Sequence, residues 1–150
     1  MHLTNIVDDA IELSEDRLLQ RLRSQGLIAN VLVSSHGLRL EAIAAFLMKR
    51  LPMPVATTVL PGVLSFPDTA ARTWLLWDVA QLSPAQQREL ADWMEVRGGR
   101  YPVVSISSQP LWPLVAGGRF LVDLYYRLNT ILCEATARSS YDEGAAACRS

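Results

Sequence analysis

Three short segments carry the side chains that could do chemistry. Asp78 follows the apolar run WLLW, so it stands at the end of a predicted buried strand. Arg119, Asp123 and Arg127 lie in the run GRFLVDLYYRLN, the last two at helical spacing. A metal-binding acid and an arginine that stabilises developing charge are groups used in phosphoryl transfer. That chemistry also needs a phosphate-binding loop, and the candidate is SSHG at residues 34–37.

Strands and helices alternate along the chain, which puts these segments at element ends. Apolar or β-branched runs predict strands at 28–34, 55–60, 74–77, 103–107 and 130–134, and periodic runs predict helices at 8–26, 38–51, 84–96 and 120–128. Because the strands are apolar throughout, the sheet should be covered on both faces. The predicted fold is a three-layer α/β domain with a five-stranded parallel sheet over residues 1–134. The small, polar segment 135–150 is expected to be a disordered tail.

Composition limits the classes of function. The chain has 150 residues, half of them hydrophobic, and a net charge of −1, which fits one globular domain. Without a basic excess, direct binding to nucleic acid or to a membrane surface is not expected. The two cysteines, Cys133 and Cys148, are too few for a disulfide scaffold and should be reduced thiols. Without a signal pattern or an apolar run of about 20 residues, we expect a cytoplasmic protein.

Several segments resemble one bacterial protein family. AGGRFLVDLYYRLNTI is similar to the GRFREDLYYRLNVI run of sigma-54-dependent transcriptional activators, in their AAA+ ATPase domain (the sigma-54 interaction domain). WLLWDVAQLSPAQQRELADWM resembles the second nucleotide motif of that domain, VVSISSQPLWPLV its sensor strand, and RLRSQGLIANVLVSSHGLRLEAIAAFL its P-loop region. The resemblance covers about residues 18–132. It implies a P-loop NTPase (AAA+) core, ATP with Mg²⁺ as ligands, and a role in transcription control.

The phosphate-binding loop departs from the pattern that the resemblance implies. That pattern is GxxxxGK[ST], in which backbone amides and a lysine hold the phosphates and a hydroxyl holds Mg²⁺. Gly37 matches a glycine, but Leu40 falls at the lysine and Glu41 at the hydroxyl residue. Arg39 is one position off with a bulkier head group, and the one lysine, Lys49, lies about two turns further along the helix. We therefore expect a degenerate loop that binds ATP weakly, and no cofactor.

The other positions implied by the resemblance are partly retained. Asp78 matches the metal-binding acid and Ser108 the sensor position, whereas Val79 replaces the glutamate that polarises the attacking water. Of two arginines that act on the neighbouring subunit's nucleotide in the family, one falls on Leu121 and the other is kept as Arg127. This leaves a degenerate nucleotide-binding set, no expected catalytic residue and no expected metal site.

Three family elements are expected to be missing. Only about a dozen loop residues separate the second and third predicted strands, and they contain no GAFTGA motif, which contacts sigma-54 in the family. The helical lid and the DNA-binding module of the family have no counterpart in this sequence.

Simpler structural roles compete with each functional one. Asp78 could be a solvated or capping acid at a strand end. Arg127 could act in trans on a partner ATPase, or form an ion pair with Asp123 four residues earlier, which we favour. Arg119 and Tyr126 join Arg127 as a candidate protein interface.

Other polar and aromatic residues are given structural roles. His36 is expected to be exposed and idle, because no triad pattern surrounds it. Ser34 and Ser35 could bind an anion but more commonly cap a helix. The four tryptophans are expected to pack in the core or at its rim, namely Trp74, Trp77, Trp93 and Trp112.

The sequence thus predicts a catalytically inactive, sigma-54-activator-like AAA+ core that is not an enzyme. Its expected role is that of a regulatory protein-interaction module in transcription control, with a full-length AAA+ activator or a second copy as partner. The alternative is an ATP-binding regulator of the sigma-54 type with weak or no hydrolysis. A receiver-like module ranks lower, because Asp78 lacks the cluster of acids that such a module uses.

Overall fold

A computed structural model describes residues 11–25, 29–67 and 70–137. In chain order the elements are β1 (Ile11–Leu13), α1 (Asp16–Ser24), β2 (Val31–Ser35), α2 (Leu40–Met48), β3 (Val55–Val59), β4 (Thr73–Trp77), α3 (Pro84–Arg97), β5 (Val103–Ser107), α4 (Trp112–Ala116), α5 (Val122–Leu128) and β6 (Ile131–Ala137). A short 3₁₀ turn, Val79–Gln81, follows β4. No helix in the described ranges is long and apolar enough to cross a membrane.

The sheet has six strands in the order β1-β6-β2-β5-β4-β3. All neighbouring strands are parallel except β1, which pairs antiparallel with β6. The predicted five-stranded, all-parallel sheet is therefore wrong by this one edge strand, although the α/β class is confirmed.

The first predicted helix is wrong over its N-terminal part. Ile11 and Leu13 are buried in β1, and the helix begins only at Asp16. The strand continues into a backbone bond from Ser14 to Glu134, so pairing with a distant segment overrides the local helical pattern. The predicted helix limits, residues 8 and 26, lie outside the described residues.

Helices cover both faces of the sheet, as a three-layer fold requires. On one face α2 packs on alternate strand residues, in a cluster that includes Val31, Val33, Ile43, Leu47, Leu75, Val104 and Ile106. On the other face α3 and α5 pack on the intervening residues, in a cluster that includes Leu32, Trp74, Leu76, Leu90, Met94, Leu124 and Leu128. The apolar strands are thus buried from two sides, which is why they do not alternate with polar residues.

Element ends follow local rules in the better-predicted parts of the chain. Ser83 caps α3 in a reciprocal capping box with Gln86, and Pro84 occupies the first helical position. At the other end of the domain, the predicted tail boundary at residue 135 falls inside β6. Ala135 is fully buried in that strand, and the tail residues after Ala137 lie outside the described ranges.

The topology creates a crevice between β2 and β5. The connection that leaves β2 leads through α2 to β3, whereas the connection that leaves β5 leads to β6 on the opposite side of β2. In open α/β sheets, ligands bind at such a switch point, at the carboxyl ends of the strands. The predicted loop 34–37 and the residues after β4 and β5 all lie at this end of the sheet.

Candidate functional site

The loop after β2 is a tight turn that Ser35 closes onto Leu38. The Ser35 hydroxyl donates to the Leu38 carbonyl at 2.8 Å and accepts from the Leu38 amide at 3.1 Å. Gly37 has φ +81°, a left-handed conformation that side chains rarely adopt. The retained glycine is therefore explained by backbone geometry, with or without a phosphate.

The N-terminus of α2 supplies charge of the wrong sign for a phosphate. Glu41 lies in the first turn, and Arg39 pairs with it at 3.4 Å between Nε and Oε2. Leu40, at the position that resembles the lysine, packs against the apolar cluster beside α2. A helix N-terminus favours anions, but the Glu41 carboxylate already exploits this and repels a second anion. The side chains of this turn therefore do not fit the phosphates of ATP in the P-loop manner.

Asp78 and Ser108, predicted as two parts of one site, do meet at the crevice. The Asp78 carboxylate accepts through Oδ1 from the Ser108 amide at 3.1 Å and from the Ser108 hydroxyl at 2.8 Å. Asp78 has φ 61°, ψ 62°, so the chain turns sharply there and Val79 is directed into the core. The arrangement ties the end of β4 to the end of β5. The described residues contain no cluster of three or more metal-ligating side chains.

Ser34 lies buried at the crevice and does not cap α2, the role expected for it. The residue is 6% exposed, and its Oγ has no hydrogen-bond partner in the part of the chain that the structure describes. It lies in register with Ser107 of the neighbouring strand, whose hydroxyl donates to the Gln109 carbonyl. Buried hydroxyls are nearly always bonded, so the free Ser34 Oγ can still take a partner. Serines inside otherwise apolar strands were the sequence signal for this feature.

His36 is exposed, as predicted, and its side chain contacts β6. Its Nε2 lies 3.5 Å from Oε1 of Glu134 on β6, and both side chains are well exposed. The loop amide of His36 also donates to the Ala135 carbonyl at 3.0 Å. The residue therefore fastens the loop to β6.

Arg127 forms the favoured ion pair with Asp123. Its Nε lies 3.1 Å from Asp123 Oδ2, and its side chain is one-third exposed. The Arg127 carbonyl accepts from Asn30 Nδ2 at 2.8 Å, while Asn30 Oδ1 accepts from the Val103 amide at 3.0 Å. Asn30 and Val103 lie at the starts of β2 and β5. The structure thus keeps Arg127 at the sheet end opposite the crevice and away from Asp78.

The other predicted interface residues also lie on α5 or beside it. Arg119 is exposed on the turn between α4 and α5, and Tyr126 is 61% exposed. The buried side chain of Gln87 on α3, which is 3% exposed, holds this turn in place. Its Nε2 donates to the Arg119 carbonyl at 3.1 Å and its Oε1 accepts from the Leu121 amide at 2.8 Å. No sequence pattern pointed to Gln87, because a glutamine in a helix usually faces solvent.

An apolar surface surrounds these residues. We call it the α4–α5 patch; its members are the exposed side chains of Trp112, Leu121, Val122 and Tyr126. The half-buried Tyr125 joins the rings, with centroids 5.6 Å from Trp112 and 5.3 Å from Tyr126. The expected packing role of the tryptophans is confirmed for Trp74, which is fully buried. Trp112 instead exposes half of its surface to solvent.

Comparison with solved structures identifies the fold. The chain is similar to NtrX from Brucella abortus in complex with ADP, at 15% identity over 79% of this chain and 34% of that chain, with a TM-score of 0.58. The ATP complex of NtrX matches at 14% identity over 89% and 36% of the two chains, also with a TM-score of 0.58. RuvB from Thermotoga maritima, a Holliday junction branch migration motor, matches at 17% identity over 79% and 42%, with a TM-score of 0.56. No protein-family model and no curated protein sequence matches the chain.

At these identities the similarity establishes the fold, which is that of the AAA+ P-loop NTPases. The chain spans about a third to two fifths of the length of these neighbours. The prediction that the chain is not an enzyme is wrong, because its structural neighbours NtrX and RuvB are ATPases. The loss of the sigma-54 loop between the second and third predicted strands remains a prediction.

Proposed function

We propose that this chain is a regulatory protein-interaction module of AAA+ fold that acts in transcription control. Its partner is an AAA+ activator ATPase, and the contact is made through the α4–α5 patch. The observation that carries the proposal is the patch itself, where Trp112, Val122 and Tyr126 each expose about half of their surface or more. Contiguous exposed apolar surface of this kind marks protein-binding sites.

The composition of the patch favours a protein partner over a small ligand. Binding energy at protein interfaces is concentrated in Trp, Tyr and Arg, and the patch combines Trp112 and Tyr126 with the neighbouring Arg127. The patch is formed by two short helices, α4 and α5. Truncation of a central aromatic residue typically costs about 1–3 kcal/mol, so Tyr126→Ala should weaken docking roughly tenfold to a hundredfold.

Substitutions at Asp123 and Arg127 distinguish a contact of Arg127 with the partner from stabilisation of α5 by the ion pair. If Arg127 contacts the partner, Asp123→Ala frees the guanidinium and binding is retained. If Arg127 only stabilises α5, Asp123→Ala and Arg127→Ala break the same pair and have similar effects. An exposed i,i+4 pair contributes about 0.3–0.5 kcal/mol, too little to unfold the domain.

Capture from the protein's own cell extract tests the proposal. Wild type should recover an AAA+ activator ATPase, identified by mass spectrometry, whereas Tyr126→Ala and Arg127→Ala should lose it. Val96→Ala and Arg100→Ala are matched controls, because both residues are exposed at or beyond the end of α3. Equal recovery by wild type, Tyr126→Ala and Arg127→Ala would contradict the proposal.

The second candidate is an ATP-binding regulator with weak hydrolysis. It is supported by the free Ser34 hydroxyl at the crevice and by the ATP and ADP complexes of NtrX. Because Leu40 and Glu41 replace the usual lysine and hydroxyl residues, binding of ATP with Mg²⁺ should be weak, with Kd on the order of 0.1–1 mM.

Titration calorimetry with ATP and Mg²⁺, together with phosphate release, measures this second candidate directly. Ser34→Ala should weaken binding if the hydroxyl contacts the nucleotide, and Ser24→Ala, an exposed serine on α1, is the control. Heat and phosphate release that are identical to a buffer blank would exclude nucleotide binding as the function.

A further inference from the structure

The strand β3 ends the sheet on one side. In the described part of the chain its only strand neighbour is β4. The Pro54 carbonyl accepts from the Thr73 amide at 3.3 Å, and the Leu60 amide donates to the Trp77 carbonyl at 3.0 Å. Even-numbered positions of this segment therefore direct their backbone groups towards β4. In a strand the direction alternates, so the odd-numbered positions direct theirs outwards.

The outward positions form an open, uncharged edge. They are Val55, Thr57 and Val59, of which Thr57 is exposed and Val59 is 57% exposed. No charged residue occurs anywhere between Arg50 and Asp68. Natural proteins usually protect an edge strand with charges, because free N–H and C=O groups recruit another strand. Here the side chains offer no such protection.

We propose that β3 pairs antiparallel with β3 of a second copy of this chain, across a twofold axis at Thr57. The outward positions read Val-Thr-Val in both directions, so Thr57 faces Thr57 and Val55 faces Val59 of the second copy. Each opposed pair of outward residues exchanges two hydrogen bonds, about six in all. The two sheets become continuous.

The sequence around β3 favours a second copy over an unrelated strand. The uncharged segment meets itself without repulsion, and the row of outward residues is its own complement. The next outward position is Pro61, which has no N–H and cannot extend the ladder. The pairing is therefore limited to five residues, which suits a discrete dimer rather than a growing fibre. It is independent of the α4–α5 patch.

Sedimentation equilibrium over a concentration series tests the pairing. Wild type should reach twice the monomer mass, whereas Thr57→Lys places two like charges opposite each other and should raise the dimer Kd at least about tenfold. Thr130→Lys is the matched control, since Thr130 is an exposed threonine between α5 and β6. Circular dichroism and urea unfolding verify that each variant is folded.

Charge complementation tests the twofold axis. Thr57→Glu alone should also dissociate the dimer, and an equimolar mixture with Thr57→Lys should restore it as a heterodimer. Amide exchange should show Val55, Thr57 and Val59 protected only at high concentration, with Ala56 and Thr58 protected throughout. A wild type that stays monomeric at about 1 mM, a Thr57→Lys dimer as strong as wild type, or a mixture that stays monomeric would each overturn the proposal.

Discussion

The contact between Asp78 and Ser108 provides the sharpest test of what the crevice acid does. Asp78 is half-buried, and its carboxylate accepts two hydrogen bonds from Ser108. The backbone of Asp78 adopts a left-handed conformation. A hydrogen bond to a charged group contributes about 1.5–3 kcal/mol to stability. Because partial exposure weakens each bond, we expect the two bonds together to contribute about 3 kcal/mol. A side chain poorly suited to the left-handed region adds about 1 kcal/mol.

Three substitutions at Asp78 separate these contributions to the free energy of unfolding. Asp78→Ala removes the two hydrogen bonds and puts a side chain poorly suited to the left-handed region at this position, so it should cost about 3–4 kcal/mol. Asp78→Gly loses only the hydrogen bonds and should cost about 1 kcal/mol less than Asp78→Ala. Asp78→Asn keeps an acceptor and tolerates the left-handed region, so about 1 kcal/mol is expected.

Urea unfolding, monitored by tryptophan fluorescence, measures the series. In a double-mutant cycle, Ser108→Ala should show a coupling of about 1–2 kcal/mol with Asp78→Ala. If Asp78→Ala is as stable as wild type, the carboxylate does not tie β4 to β5. If wild type gains stability with millimolar Mg²⁺ and Asp78→Ala does not, the acid binds metal and the structural explanation is refuted.

Three further predictions concern positions away from the crevice. Gln87→Leu removes the bonds to Arg119 and Leu121; it should cost about 2–3 kcal/mol in urea unfolding and weaken partner capture as Tyr126→Ala does. Ser83→Ala removes the capping box of α3 and should cost about 1 kcal/mol, with Ser24→Ala as an exposed control. Burial raises the pKa of Cys133 to about 12 from 9.0, with Glu15 and Asp16 adding to the shift. Because the folded state keeps the proton longer, wild type should lose up to about 1.4 kcal/mol per pH unit above pH 9, and Cys133→Ala should not show this loss.

Gln87 is expected to affect docking only through the turn that it supports. Partner capture unaffected by Gln87→Leu would contradict that link. For Cys133, an identical pH dependence in wild type and Cys133→Ala would contradict the burial effect, because all other titrating groups are shared by the two proteins.

The elements that the sequence predicted best are those whose signals are local. The apolar strand before Asp78 and the Ser83–Pro84 helix start are each encoded within a few residues, and the structure has both. β1 was missed because a three-residue strand is stabilised by its distant partner β6 rather than by its own pattern. Gln87 and Ser34 were missed for a related reason, since their roles depend on what the fold places beside them.

Resemblance and structure gave different kinds of information about the candidate site. The motif comparison correctly brought Asp78 and Ser108 together, because both lie at the carboxyl ends of neighbouring strands. It could not show that the two residues satisfy each other, which requires the actual turn at Asp78. Similarly, the spacing of Asp123 and Arg127 predicted their ion pair, but the position of that pair at the far end of the sheet follows from the hydrogen bonds of Asn30.

Asn30 has a mechanical consequence. Its amide group holds the last turn of α5 with one end and the start of β5 with the other, immediately before β2 begins. β2 runs through the centre of the sheet and delivers the loop 34–37 to the crevice. We therefore expect a displacement of the last turn of α5 to move β2, the strand whose far end carries that loop. The patch side of α5 and the crevice loop are thus connected through one central strand, β2.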